Sequence, residues 1–503
     1  GVYSVLFNSL EFLIFFPIVT LVYFIIPRKT KQFWLLVCSY YFYMCWNAKY
    51  ALLILTSTVV TYLSGLLMHR VGKQADQLGQ AVALRRKKWI VAGSFIINLG
   101  ILFYFKYFNF AMDGLAALFR LFHVQINLPA VDVLLPVGIS FYTFQALSYT
   151  VDVYSGGIYA EKNFISYALF VSFFPQLVAG PIERSKNLLK QLAVPKRFSF
   201  ERAREGLLLM LWGFFLKMVV SDRLSVYVNT VFEEYKKYNG IYVLLAIIFF
   251  SLQIYCDFSG YSNMARGCGE IMGFDITQNF RQSYLAVTVA DFWRRWHISL
   301  TSWFRDYIYI PLGGNRKGTV RKYLNILAVF AISGLWHGAS WNFVFWGVIN
   351  GVFQVVGGLL TPLRDRVVSM LGIDRRAFSH RVLKTIGTFV PVAFAWTFFK
   401  APSFMTGLKI IREGFRYNPW VLFDGSLYTL GLNEQEFLIM VIGLLILLTA
   451  DIINEKGIVI RDFVKKQGLW FRWGFYLTSI VTVIILGVYG PGYDAAEFIY
   501  FKF

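Results

Sequence analysis

Apolar runs of roughly 16 to 20 residues recur along the chain between short polar segments, the length at which a helix crosses a bilayer. They lie near 10–27, 33–48, 50–68, 89–108, 134–151, 207–220, 241–258, 323–339, 342–360, 385–400, 436–452 and 473–490. Several are short for a full crossing, which suggests tilted or broken helices or a locally thinned bilayer. The pattern predicts an all-α polytopic membrane protein of about 11–12 transmembrane helices. The first run, Leu10 to Ile26, lacks a basic leader and a small-residue cleavage site, so it reads as a retained span.

Two stretches break the pattern. Segment 164–181 is apolar, but basic loops flank it on both sides, and FVSFFPQLVAGPIER carries Pro175, Gly180 and Pro181. Such residues interrupt a helix, so a re-entrant half-helix is expected there. Segment 284–314 mixes Arg294, Arg295, His297, Arg305 and Asp306 with many aromatics and is too charged to cross lipid. It reads as one amphipathic helix at the cytoplasmic face, aromatic side inward, with its arginines toward headgroups or an anionic ligand.

Composition supports the membrane reading. The chain is 57% hydrophobic and 15% charged with a mean hydropathy of +0.55, against about 25% charged in soluble domains. A net charge of +21 would suggest nucleic acid in a soluble protein. Here the basic residues sit in short segments between spans, the positive-inside pattern, and nucleic acid is excluded. The clusters at 28–31, 70–88, 184–204, 294–322, 364–384 and 461–472 are then cytoplasmic, the nearly balanced loops 109–133, 222–240 and 401–435 lie outside, and both termini fall outside. Cys38, Cys45, Cys256 and Cys268 show neither C-x-x-C pairing nor ligand spacing, so no disulfide framework and no metal is expected.

The candidate chemistry lies in SGLWHGASWNF, 333–343. A titratable ring at membrane depth is costly unless it has partners or lines a cavity, which makes His337 a functional candidate. Gly338, Ser333, Ser340 and Asn342 leave room around it and can orient an imidazole. Gln145, Tyr149 and Gln176 either line a tunnel or make interhelical hydrogen bonds. Asp257 suits a basic partner such as Arg266. Arg294, Arg295 and Arg305 either attract phosphates or anchor the cytoplasmic face. A transporter would show inverted repeats and a carboxylate relay, and neither is found.

The ordered set LLPVGISFYTFQALSYTVDVY (134–154), FFPQLVAGPIER (173–184), LQIYCDFSGYSNMARG (252–267), DFWRRWHISLTSWFRDYIYIPLGGNR (291–316) and SGLWHGASWNFVFWG (333–347) resembles the membrane-bound O-acyltransferase family. It is similar in particular to the bacterial branch that serves alginate O-acetylation and teichoic acid D-alanylation. The resemblance implies a fold enclosing a tunnel and a transfer of acyl from thioester to hydroxyl, a step for which histidine is the best-matched base. It carries the essential histidine to His337, in L-W-H-G, and a second to His297, in W-R-R-W-H, as the group that positions the thioester or stabilises developing charge. Trp296, Trp336 and Ser259 stand in the same motifs and join the tunnel or substrate-binding set.

FAWTFFKAPSFMTGLKII (394–411) and the terminal FIYFKF (498–503) are similar to the alginate-acetylation type. Acetyl-CoA is then the implied donor, with no bound cofactor, and an extracytoplasmic polysaccharide the acceptor. An exported SGNH-hydrolase-like partner and a bacterial inner-membrane location are also implied. A D-alanyl transferase fed by a carrier-protein thioester is the alternative. By these motifs the chain divides into N-terminal spans (1–130), a catalytic core (131–360) and C-terminal spans with an outer loop (361–503).

Overall fold

The computed structural model describes residues 6–489 and 498–501, so both chain termini, including Lys502 and Phe503 of the terminal motif, lie outside the described residues. Every regular element among the described residues is a helix. Each of the twelve apolar runs coincides with one. Seven helices are long and apolar enough to span a bilayer: Ala48–Lys73, Gln80–Leu121, Ile241–Met272, Trp341–Leu359, Phe378–Lys400, Glu434–Glu455 and Leu469–Leu486. The protein is therefore a multi-pass membrane protein.

Two runs extend further than hydropathy suggests. The run at 89–108 is the middle of a helix that passes through a π segment at Phe103–Tyr107 and ends at Leu121, so part of the expected outer loop is helical. The run at 207–220 belongs to a continuous helical stretch from Phe200 to Glu233, with a π segment at Phe215–Ser221. Ends are fixed by short polar side chains. Asn433 accepts the Glu436 amide at 2.9 Å and so starts Glu434–Glu455, where Glu434 and Glu436 complement the helix dipole.

The chain forms two compact units, 1–207 with 265–277, and 208–264 with 278–503. In the first, segment 164–181 is broken as its Pro and Gly residues require: a buried helix Phe164–Ser172, then one turn, Phe174–Leu177. Tyr167 of this helix donates to Thr61 at 2.6 Å. Gly138, at φ 76°, lets the irregular chain pass close, since a Cβ there would stand 2.7 Å from the Leu177 carbonyl.

In the second unit, helices Thr319–His337 and Trp341–Leu359 form a tight hairpin. A Cβ on Gly347 would collide with the Phe330 carbonyl, and one on Gly334 with that of Phe343, so the glycines permit backbone-to-backbone approach. Segment 284–314 corrects the expectation of one amphipathic helix. It is a 3-10 turn at Ser283–Leu285, two short helices, Val289–Arg295 and Ile298–Phe304, and a π turn at Arg305–Tyr309. Its aromatic side is nonetheless inward, with Phe292, Trp293 and Trp296 buried.

Candidate active site

Helix Thr319–His337 begins beside Arg316 and Lys317 and ends at His337. At 1.5 Å per residue it is about 28 Å long, close to the thickness of the hydrocarbon core. The helix stops because Gly338 turns extended, and the Phe343 ring occupies the space that a Cβ on Gly338 would need. Asn342 does not face the imidazole as expected. Its amide donates to the carbonyls of Phe398 (3.2 Å) and Ala401 (2.9 Å), and its oxygen accepts from Ser340, so it ties the hairpin to the end of Phe378–Lys400.

His297 sits at the break between the two short helices, in left-handed backbone (φ 46°, ψ 52°). That conformation is sparsely populated for a side-chain-bearing residue and persists where the surroundings impose it. Asn279 imposes it here. Its carbonyl accepts the Ile298 amide at 2.9 Å and its side-chain oxygen accepts the Ser299 amide at 3.0 Å, the service an N-cap side chain normally gives. The imidazole is thereby released from capping helix Ile298–Phe304.

The two histidine rings meet at 6.5 Å between centroids with planes at 57°. Both residues are buried, at 2% exposure for His297 and 4% for His337. Trp336, Trp346 and Phe399 stand edge-on around His337 at 4.9, 5.0 and 5.5 Å. Phe258 lies 4.7 Å from His297. Tyr500 stacks on His297 at 5.7 Å with planes only 8° apart, and meets His337 edge-on at 5.6 Å.

A cavity of about 1280 Å³ reaches both rings. Ser333, Thr301, Trp293, Trp296 and Phe330 line it near the histidines. Its lining also carries Arg294, Arg305, Lys322, Arg364, Arg375 and Lys384, with Asp365 as the acid among them. Lys322 and His337 share one helix fifteen positions apart, so the cavity runs for about 22 Å along it. Arg375 pairs with Asp365 at 3.0 Å and Arg305 with Asp306 at 2.8 Å, a hydrogen bond that raises the Arg305 pKa further. Arg294, Lys322, Arg364 and Lys384 have no acidic partner among the described residues. A ligand with an anionic group toward Lys322 and a second group at the imidazoles fits this lining.

The other expected site residues fall elsewhere. Arg295 is held by Asp291 (3.0 Å) and Glu455 (2.7 Å) rather than offered to a ligand. Asp257 pairs with Lys217 at 2.7 Å, not with Arg266. Ser259 accepts from Asn263 at 3.5 Å. Gln145, Gln176 and Tyr149 belong to the first unit. There Gln145 and Gln176 both donate to the Phe170 carbonyl, Gln145 accepts the Glu183 amide, and Tyr149 accepts that of Glu161. These are the backbone groups left open where helices break. Asn279 and Tyr500 were not anticipated at the site, and Arg364 and Lys384 were read only as topological charge. Among the described residues no three His, Cys, Asp or Glu side chains gather to hold a metal ion.

A model of the membrane-bound O-acyltransferase family matches residues 22–391. The chain is 36% identical over 417 residues to a protein named as a probable alginate O-acetylase of Pseudomonas putida, covering 83% of this chain and 81% of the relative. It is 30% identical to a peptidoglycan O-acetyltransferase of Helicobacter pylori, over 82% and 80% of the two chains. A teichoic acid D-alanyltransferase of Bacillus subtilis is more distant, at 26% over 46% of this chain and 61% of its own.

Proposed function

Because the chain belongs to the membrane-bound O-acyltransferase family, we propose that it carries acetyl from cytosolic acetyl-CoA through the membrane to hydroxyls of an extracytoplasmic polysaccharide. The family establishes O-acyl transfer in a membrane; donor, direction and acceptor are inferred from the cavity and the relatives. One observation carries the reading: a single passage joins a cationic mouth to two buried imidazoles. The mouth is built from the basic segments 294–322 and 364–384, which the charge rule assigns to the cytoplasm.

In this reading the mouth holds the phosphates of the donor and the passage takes its pantetheine arm. The thioester then lies beside His297 and His337. His337 takes the proton of the acceptor hydroxyl as the oxygen attacks the carbonyl carbon. His297 stabilises charge on the carbonyl oxygen in the tetrahedral state. When the C–S bond breaks, the thiolate recovers the proton from His337 and leaves through the mouth. An exported hydrolase-like partner receives the acetyl group or passes it to sugar in the inner membrane of a bacterium. The expected catalytic core, 131–360, contributes both histidines.

Transfer of label from acetyl-CoA in proteoliposomes tests the proposal. It should be abolished in His337→Ala, and transfer at the wild-type rate would remove the base assignment. A carrier-protein thioester brings the same arm on an acidic protein. Competition between the two donors separates the acetyl from the D-alanyl reading.

A further inference from the structure

Lys217 lies in the π segment Phe215–Ser221, and its buried ammonium meets Asp257 at 2.7 Å and Asp222 at 3.0 Å. Buried ions are costly to desolvate, and apolar side chains of similar volume often stabilise a core as well or better. A set of this kind is best explained by what it holds in place.

The second oxygen of Asp257 accepts the backbone amide of Ile499 at 2.7 Å, and the Lys217 ammonium stands 4.4 Å from the centre of the Phe498 ring. Phe498 also packs edge-on against Tyr261 at 4.7 Å. One residue further on, Tyr500 lies over Phe258 at 4.0 Å and reaches both histidines. Asp257 and Phe258 are consecutive on helix Ile241–Met272. The first fixes the backbone of the C-terminal turn, and the second seats its aromatic ring.

We infer that the Lys217–Asp222–Asp257 set is a clamp that holds the C-terminal turn against the histidine pair, making Asp257 a positioning residue for acyl transfer. The inference rests on the proposed role of the histidines. The Tyr500 ring, nearly parallel to His297 and edge-on to His337, limits how either imidazole can turn. A loosened turn leaves the cavity mouth intact but leaves the rings without a fixed mutual orientation. Turnover should then fall while donor affinity holds.

Full-length protein in lipid nanodiscs provides the test, through hydrogen exchange of the C-terminal peptide alongside steady-state acetyl transfer. Asp257→Ala leaves Asp222 to pair with Lys217. Ile499→Pro removes the donated N–H without touching the ion set. Both variants should speed exchange of the peptide by about tenfold and lower kcat by about tenfold or more with donor KM within about twofold. Asp257→Asn has one oxygen for two donors, the Lys217 ammonium and the Ile499 amide, and should fall between Asp257→Ala and the wild type in both. Should Asp257→Ala fail to fold, Ile499→Pro decides alone. Unchanged exchange overturns the clamp, as does faster exchange with unchanged kcat, or a kcat loss no greater than the loss of folded protein. Wild-type transfer by His337→Ala would remove the histidine reading and leave the exchange result standing.

Discussion

Removing the unpaired charge at the cavity mouth should weaken the donor without slowing the chemistry. Lys322, Arg364 and Lys384 line the mouth and carry no acidic partner among the described residues. Arg364 is bonded to the Gly357 carbonyl and Thr361, which orients it but leaves its charge intact. A phosphate at 4 Å gains about 1 kcal/mol from a cation in bulk-water dielectric. Salt screening reduces this to roughly 0.5–1 kcal/mol for each charge. The triple change Lys322→Ala, Arg364→Ala, Lys384→Ala should therefore cost about 1.5–3 kcal/mol of binding, a rise in KM of about 10- to 150-fold. Lys322 lies about 22 Å from His337 along their shared helix and Arg364 and Lys384 stand on other helices, so kcat should stay within about twofold. Arg375→Ala is the control, since Asp365 already balances that charge. The assay is acetyl transfer in proteoliposomes with acetyl-CoA and with a short phosphate-free thioester, each at low and high salt. Only acetyl-CoA should lose affinity, and added salt should affect the wild type more than the variant. Equal losses on both donors, or an unchanged KM for acetyl-CoA, would refute the placement of phosphates at this mouth.

Other outcomes follow from the geometry. His337→Gln keeps a polar group but no base, and kcat measured by label transfer should fall by about 10²–10⁴-fold. Asn279→Ala withdraws the side-chain oxygen that accepts Ser299; it should cost about 1 kcal/mol in thermal stability, with a fall in kcat that Asn279→Asp largely avoids. Gly347→Leu forces a side chain into the Phe330 carbonyl and should lower stability by about 3 kcal/mol or prevent folding, read from the melting midpoint in detergent. In the first unit, burial pushes the Glu183 carboxyl up to about 7 from 4.5, against hydrogen bonds from Thr277 and Asn187. The unfolded chain then releases this proton first, so stability is greatest below pH 4.5 and declines as pH rises to about 7. The decline should amount to no more than about 3.5 kcal/mol and should be flattened in Glu183→Gln, as a pH series of melting midpoints would show.

The helices were legible because a run of apolar residues admits one solution in lipid, whichever neighbours it finds. Breaks were legible where Pro175 and Gly180 marked them, but the break at His297 carries no such mark, since Asn279 sustains it from outside the segment. Polar residues among apolar ones were visible, but their partners were not. Gln145 and Gln176 were as good tunnel candidates as any, yet the Phe170 carbonyl at the end of a broken helix took both. Arg294 and Arg295 are adjacent, and about 100° of helical rotation sends one to the cavity and the other to Glu455. Lys217 was concealed inside an apolar run. Its two carboxylates are one turn and forty residues away, and no local pattern joins them.

The passage between Lys322 and His337 has the character of a ruler. On the proposed reading, a mouth built of cations reads charge rather than the outline of a base, so other soluble polyphosphates should also bind there. Nucleotides without a tether would then bring no electrophile to the imidazoles and should act as competitors rather than substrates. On that reading fidelity resides in reach: the distance from headgroup to carbonyl decides what reacts.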